Sequence, residues 1–252
     1  MPDRPEPPDR PEPPDRPDSD RPDAERPDSG PLSVVLALSA VAGFLDAFNL
    51  AGLSGTFVAA QTGNTVLVGI ALADADLREL WPPLLVILAF LAGGSLTILV
   101  ARNRPPPVRR LRLLLLELVL LAAVVVAALA TAGLEVERLH GPELFVVVSL
   151  ASAAMAVQTM VIRHVRGEGV STTFNSGMLA DAGLQLGRIV STGPTDRRLP
   201  WIRASVVGVA VACYAGGAAL GALGVKGGTL WLLAPVAVVA AVLAHMVRSD
   251  RW

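Results

Sequence analysis

Two short polar signatures stand inside apolar sequence. Gln61-Thr62-Gly63-Asn64 lies in the first half of the chain and Thr172-Thr173-Phe174-Asn175-Ser176-Gly177 in the second. Each follows an apolar stretch with polar groups of its own, Asp46 and Asn49 before the first, Gln158 and Thr159 before the second. Amides and hydroxyls offer hydrogen bonds to an uncharged or ionic solute, and hydrocarbon penalises them unless they face one another or water. Asp46 is the ionisable member. A carboxylate well inside an apolar helix must be paired, protonated or hydrated. Three roles are open to it: coupling to a proton or cation, a structural hydrogen bond to a neighbouring helix, and an interfacial position with no special task. Asn49 follows at i+3 and shares its side of the helix.

The signatures have a second use. Thr62, Asn64, Thr172 and Asn175 suit the caps of helices that begin inside the membrane, where free N–H groups and a partial positive charge would face a cavity. Gly63 and Gly177 permit tight turns or close backbone approach. The alternative is that these residues satisfy one another and pin the halves of the molecule together. Asp181, Gln185 and Arg188 share a face if 178–189 is helical, and read as a polar stripe toward a mouth rather than as catalytic groups. No hydrolase elbow, P-loop, dinucleotide fingerprint or zinc-protease motif is present. Neither a metal site nor a cofactor is expected, and nor is an enzyme. The lone Cys213 cannot form an intramolecular disulfide.

The elements that must hold these residues are membrane helices. Hydrophobic residues make up 52% of the chain, and the first 31 positions contribute almost none. Six windows, near 32–53, 82–101, 111–132, 143–162, 202–224 and 229–247, match the ~20 residues that a ~30 Å hydrocarbon core requires. Leu113 to Ala130 is broken only by Glu117 among apolar residues, so that helix is apolar on every face. Glu117 itself is expected to snorkel toward the interface and pair with Arg110 or Arg112. The fold class is therefore all-α integral membrane, with six spans plus two shorter, more polar segments at 56–73 and 172–189. Three regions follow: a Pro/Asp/Arg-rich tail at 1–31, which cannot bury a core, and membrane units at 32–132 and 143–247.

Arginine marks the cytoplasmic side of short loops. Arg102, Arg104, Arg109, Arg110 and Arg112 place that loop inside, and Arg248 and Arg251 place the C-terminus there too. If 172–189 crossed, Arg188, Arg197, Arg198 and Arg203 would fall outside, so this segment is expected to dip in and return. The segment 56–73 either mirrors it or completes a short span, and the mirrored reading is preferred. Trp81, Trp201 and Trp231 sit where interfacial anchors belong. The basic loop is suited to anionic lipid rather than nucleic acid.

The two halves repeat one order: apolar helix, polar broken segment, glycine-bearing helix, further apolar helix. Phe90-Leu91-Ala92-Gly93-Gly94 aligns with Cys213-Tyr214-Ala215-Gly216-Gly217. Three spans per half would invert the second half against the first. Gly93, Gly94, Gly216, Gly217 and Gly221 read as packing surfaces. The Gly217/Gly221 pair joins either the two halves or two subunits of a homo-oligomer.

Gly43-Phe44-Leu45-Asp46-Ala47 followed by Thr56 to Thr65 resembles the Gly-x-x-Asp-Ala and Thr-Gly-Asn stretches of the YoaK-like family of bacterial membrane proteins. Ala154 to Thr159 and Ser171 to Leu179 are similar to two further motifs of that family, in order, with Ala156, Thr159 and Ser176 departing from its usual Gly, Asn and Thr. The resemblance covers about residues 32–247. It implies a multi-pass protein of the bacterial inner membrane and supplies no substrate.

Taken together, the residues point to a transporter or channel for an unidentified small solute. Its pathway would be lined by Asp46, Asn49, Gln61, Thr62, Asn64, Gln158, Thr172, Thr173, Asn175 and Asp181, with Asp46 the candidate for proton or cation coupling. The competing reading is a non-transporting membrane scaffold or assembly protein. An intramembrane enzyme fits least, because clusters of carboxylates or histidines are missing from the sequence.

Overall fold

The computed structural model describes residues 32–166, 175–191 and 198–248, of which every described element is helical. Eight α-helices follow in order: α1 (Leu32–Gly52), α2 (Gln61–Ala73), α3 (Leu77–Ala101), α4 (Pro106–Ala132), α5 (Gly141–Arg166), α6 (Asn175–Ser191), α7 (Arg198–Gly227) and α8 (Leu233–Arg248). Six of these elements are long and apolar enough to cross a membrane: α1, α3, α4, α5, α7 and the stretch Thr229–Arg248 that contains α8. α2 has 13 residues and α6 has 17, about 20 and 26 Å at 1.5 Å per residue, both short of a ~30 Å core. The short polar segments are thus non-spanning helices, and the reading of 56–73 as a short span does not hold. Six crossings bring both ends of the described chain to one side of the bilayer.

Burial separates the spans into a centre and a rim. In α1 and α5, 67% of the most apolar stretch is buried in protein, against 17% in α3 and α7. α1 and α5 touch each other and carry the core residues Leu38, Phe48, Met155 and Ile162. α1 packs chiefly on α7 and α5 chiefly on α3 and α4, while α8 lies against α4 and α1. α2 rests on α3, and α6 rests on α7. The rim helices turn Leu88, Leu91, Leu99, Val209 and Leu223 outward, where lipid takes the place of a protein neighbour.

Glycine sets how closely α1 and α7 approach. A Cβ at Gly217 would overlap the Ala40 carbonyl, one at Gly221 the Phe44 carbonyl, and one at Gly43 the Tyr214 carbonyl. Gly93 of α3 meets Ala153 of α5 in the same manner. The Gly217/Gly221 pair therefore joins α7 to α1 within one chain. Gly94 and Gly216, expected to pack as well, have open space where their side chains would be. Each is adjacent to a packing glycine, and one residue turns a helical position ~100° away from the contact.

At one end of the bundle a 3-10 turn, Thr229–Leu232, leads into α8. Thr229 N donates to Leu134 O (3.1 Å), tying this turn to the end of α4. Gly228 enters the turn at φ 84° against that same carbonyl, a place that leaves no room for a Cβ.

Candidate functional site

Between α1 and α2 the chain runs through residues 53–60 without regular structure. It turns back alongside α1, so that Thr56 lies level with Asn49, and Ala59 and Ala60 lie level with Asp46. Non-helical backbone at membrane depth leaves N–H and C=O groups that no water or ladder satisfies, and it survives only where protein or a wet cavity supplies partners.

Side chains of the polar signature are those partners. Asp46 Oδ1 accepts from Ala59 N (2.6 Å) and Oδ2 from Ala60 N (3.1 Å). Tyr214 of α7 donates its hydroxyl to the same Oδ2 at 2.5 Å. Asn49 Nδ2 donates to Thr56 O (2.6 Å), and also lies 3.0 Å from both Thr56 Oγ1 and Ser54 Oγ. Asn64 faces the same segment from the first turn of α2. Its Oδ1 accepts from Phe57 N (2.9 Å) and its Nδ2 donates to Phe57 O (2.5 Å) and to Gln61 Oε1 (2.9 Å). Asn64 thereby mimics a strand partner for one residue. Gln61 Nε2 completes the set by donating to Val58 O (3.0 Å) and reaching Ser152 Oγ of α5 (3.4 Å). Asp46, Asn49, Thr56 and Asn64 are all buried.

The expected helix capping does not occur at α2. Its N-cap is Ala60, which makes no side-chain cap bond, and Thr62 is exposed. The reason is geometric: the N-cap falls two residues before Thr62, and Asn64 points back across the loop rather than along the helix. Gly63 does serve close approach, since the Phe57 ring lies over it and would collide with a Cβ.

Gln158 is fully buried on α5 and does not join this network. Its Nε2 donates to Leu38 O of α1 (2.9 Å), bridging the two central helices. Thr172 and Thr173 lie outside the described residues. Asn175 and Asp181 are placed only as positions on α6, at its first residue and near its second turn. Gln185 is buried and Arg188 exposed, so the polar face expected along α6 is not uniformly solvated. Glu117 departs from expectation altogether. It is fully buried in α4, and neither carboxyl oxygen has a hydrogen-bond partner among the described residues.

A half-open cavity of about 270 Å³ meets the turn of the irregular segment. Ser54, Gly55 and Thr56 form one wall, and Leu67, Ile70, Glu79 and the Pro82-Pro83 pair form the other. A second cavity of about 450 Å³ lies at the opposite end of α3, bounded by Thr97, Arg102, Arg104, Arg109, Leu113 and Met160. Among the described residues no group of three or more His, Cys, Asp or Glu side chains could hold a metal ion.

Four side chains of the network escape a reading of the sequence: Tyr214, Thr56, Ser54 and Ser152. One signal for Tyr214 was present. It is the chain's single tyrosine, set in mid-helix, where a buried phenol needs an acceptor.

No curated protein and no solved structure matches the chain. A family model does, over residues 34–246, which takes in all eight helices and the clamped segment. The chain accordingly belongs to the family described as a protein of unknown function, DUF1275, the YoaK-like multi-pass membrane proteins that its motifs resemble.

Proposed function

We propose that this protein is a transporter or channel for a small solute, with the segment 53–60 as part of its pathway. The observation that carries the reading is the clamped, non-helical backbone beside a half-open cavity lined by Ser54, Thr56 and Glu79. Broken segments of this kind are how membrane carriers present backbone groups to a solute. In this scheme Asp46 fastens the segment. A proton or cation reaching Asp46 competes with its three donors, so coupling there acts by unlatching residues 59 and 60 from α1. No reaction is assigned to the protein.

An inverted repeat fits the packing. α1 pairs with α7 as α5 pairs with α3, and α2 sits on α3 as α6 sits on α7. Exchanging the halves maps these contacts onto one another, whereas the packing of α3 on α4 has no equally developed counterpart between α7 and α8. Ala40 against Gly217 and Ala153 against Gly93 resemble each other, one residue out of the register that aligns Gly93 with Gly216. The arginines at 102–112 and at the C-terminus favour a cytoplasmic C-terminus in a bacterial inner membrane.

One observation favours a static scaffold instead: the named side chains of the network are saturated by the protein's own backbone. Liposomes holding the full chain separate the two. Leu67→Trp narrows the cavity from a residue that makes none of the network's side-chain hydrogen bonds, and flux of at least one solute from a panel of small neutral, cationic and anionic compounds should fall by about tenfold or more. No flux above protein-free vesicles for any solute, or flux indifferent to Leu67→Trp, Asp46→Asn and Asn64→Ala in folded protein, overturns transport in favour of the scaffold.

A further inference from the structure

We propose that Glu117 is an intramembrane proton-binding site, loaded and unloaded through the basic cavity that ends one helical turn from it. The transport reading bears only on the use made of the proton; the binding itself stands apart from it.

Glu117 is fully buried in the apolar centre of α4, and its two carboxyl oxygens have no hydrogen-bond partner among the described residues. An ionised carboxylate without partners costs several kcal/mol in such surroundings, so the position needs a positive charge that it can take up. The titratable and charged groups of α4 and of the elements packed on it lie toward the helix ends. They are Arg109, Arg110 and Arg112 at the start of α4, and Arg78 and Glu79 at the start of α3. Glu143 and Arg163 lie near the two ends of α5, Glu137 and Arg138 stand in the 3-10 turn after α4, and His245 and Arg248 lie in the last turn of α8. His245 and Arg163 are exposed. Since neither Glu117 oxygen accepts a hydrogen bond from any of them, no side chain among the described residues supplies the counter-charge.

A second orphan shares the depth. Gln158 Oε1 is buried with no donor among the described residues, while the amide N–H of the same side chain donates to Leu38 O. Glu117 lies 15 residues before the end of α4 and Gln158 lies 17 residues after the start of α5. In an antiparallel pair these positions differ in height by only about 3 Å. One carboxyl and one amide oxygen cannot build the six or more oxygen ligands of a hard divalent cation. A carboxylate that becomes a carboxylic acid gains one O–H to donate, so the ligand that fits is the proton: it adds to a carboxyl oxygen and leaves by the same route.

The route is the cavity of about 450 Å³ at the basic end of α3 and α4. Its inner wall includes Leu113 and Met160. Leu113 precedes Glu117 by one helical turn, about 6 Å along the axis, and Met160 is two residues from Gln158. Arg102, Arg104 and Arg109 give its mouth a polar lining that water wets, and protons move through water.

The test uses full-length protein in liposomes with no solute added. Dicyclohexylcarbodiimide enters bilayers and modifies carboxyl groups in their protonated form, and peptide mass spectrometry locates the adduct. Glu117 should be modified at about pH 5, with roughly tenfold or greater loss of modification by about pH 9. An infrared difference spectrum between those pH values should carry a carboxylic-acid carbonyl band that Glu117→Gln removes, a readout that needs no reagent access. Absence of the adduct and the band, or modification that does not change with pH, overturns the proposal. Because no solute is present, this outcome is independent of whether transport is found.

Discussion

At the scale of residues, the polar signature is a set of substitutes for missing backbone partners. Asp46 satisfies two amides and a phenol, and Asn64 satisfies both polar groups of Phe57. Asp46→Asn replaces one acceptor oxygen by a donor that faces an N–H, and should destabilise the protein by about 2–4 kcal/mol. Tyr214→Phe removes one donor and leaves the two amides in place, so its cost should be nearer 1.5 kcal/mol. Denaturant unfolding in micelles should find the double variant less damaged than the two costs combined, since both changes act on the same oxygen. Full additivity would show that Tyr214 and Asp46 are not coupled. Asn64→Ala strands Phe57 N and O and should cost about 2–4 kcal/mol by the same measurement.

At the scale of elements, α1 and α7 are held at a separation that only glycine allows. Gly217→Val forces a side chain into the Ala40 carbonyl and should lower stability by about 3 kcal/mol or more. Its neighbour gives the control. Gly216 is exposed with open space at its Cβ position, and Gly216→Ala should raise stability by about 0.5–1 kcal/mol through helix propensity. Equal effects of the two substitutions would mean that the α1–α7 contact does not depend on glycine. The sequence marks both residues alike as small positions in an apolar helix. Which of the two faces α1 depends on the rotation of α7 about its axis, and tertiary packing sets that rotation.

At the scale of the molecule, two non-spanning helices leave six crossings, and this fixes which loops share a side. Single cysteines replacing Asp74 and Glu135, in a Cys213→Ser background, should react with an impermeant maleimide from the same side of sealed vesicles. Cysteines replacing Asn103 and Arg248 should react only from the other. A cysteine at Ser54 should behave like the one at Asp74, because residues 53–60 turn back along α1 instead of crossing. Reaction of Ser54→Cys and Asp74→Cys from opposite sides would make α2 a span and break this arrangement.

The spans, the two short helices and the family motifs were legible in the sequence, because length and continuous apolarity follow from the thickness and polarity of hydrocarbon alone. So was the anomaly of polar groups at 46–49 and 61–64, since cost in lipid is a property of residue type. Their partners were not. Tyr214 lies 168 positions from Asp46, and Gln158 lies 120 from Leu38. Whether Glu117 would reach an arginine or be sealed without one was equally out of reach, since a helix apolar on every face does not reveal which side is covered by protein. Those choices follow from how α1 and α5 are surrounded by the other helices, and that arrangement is a sum over many weak contacts between residues far apart in the chain.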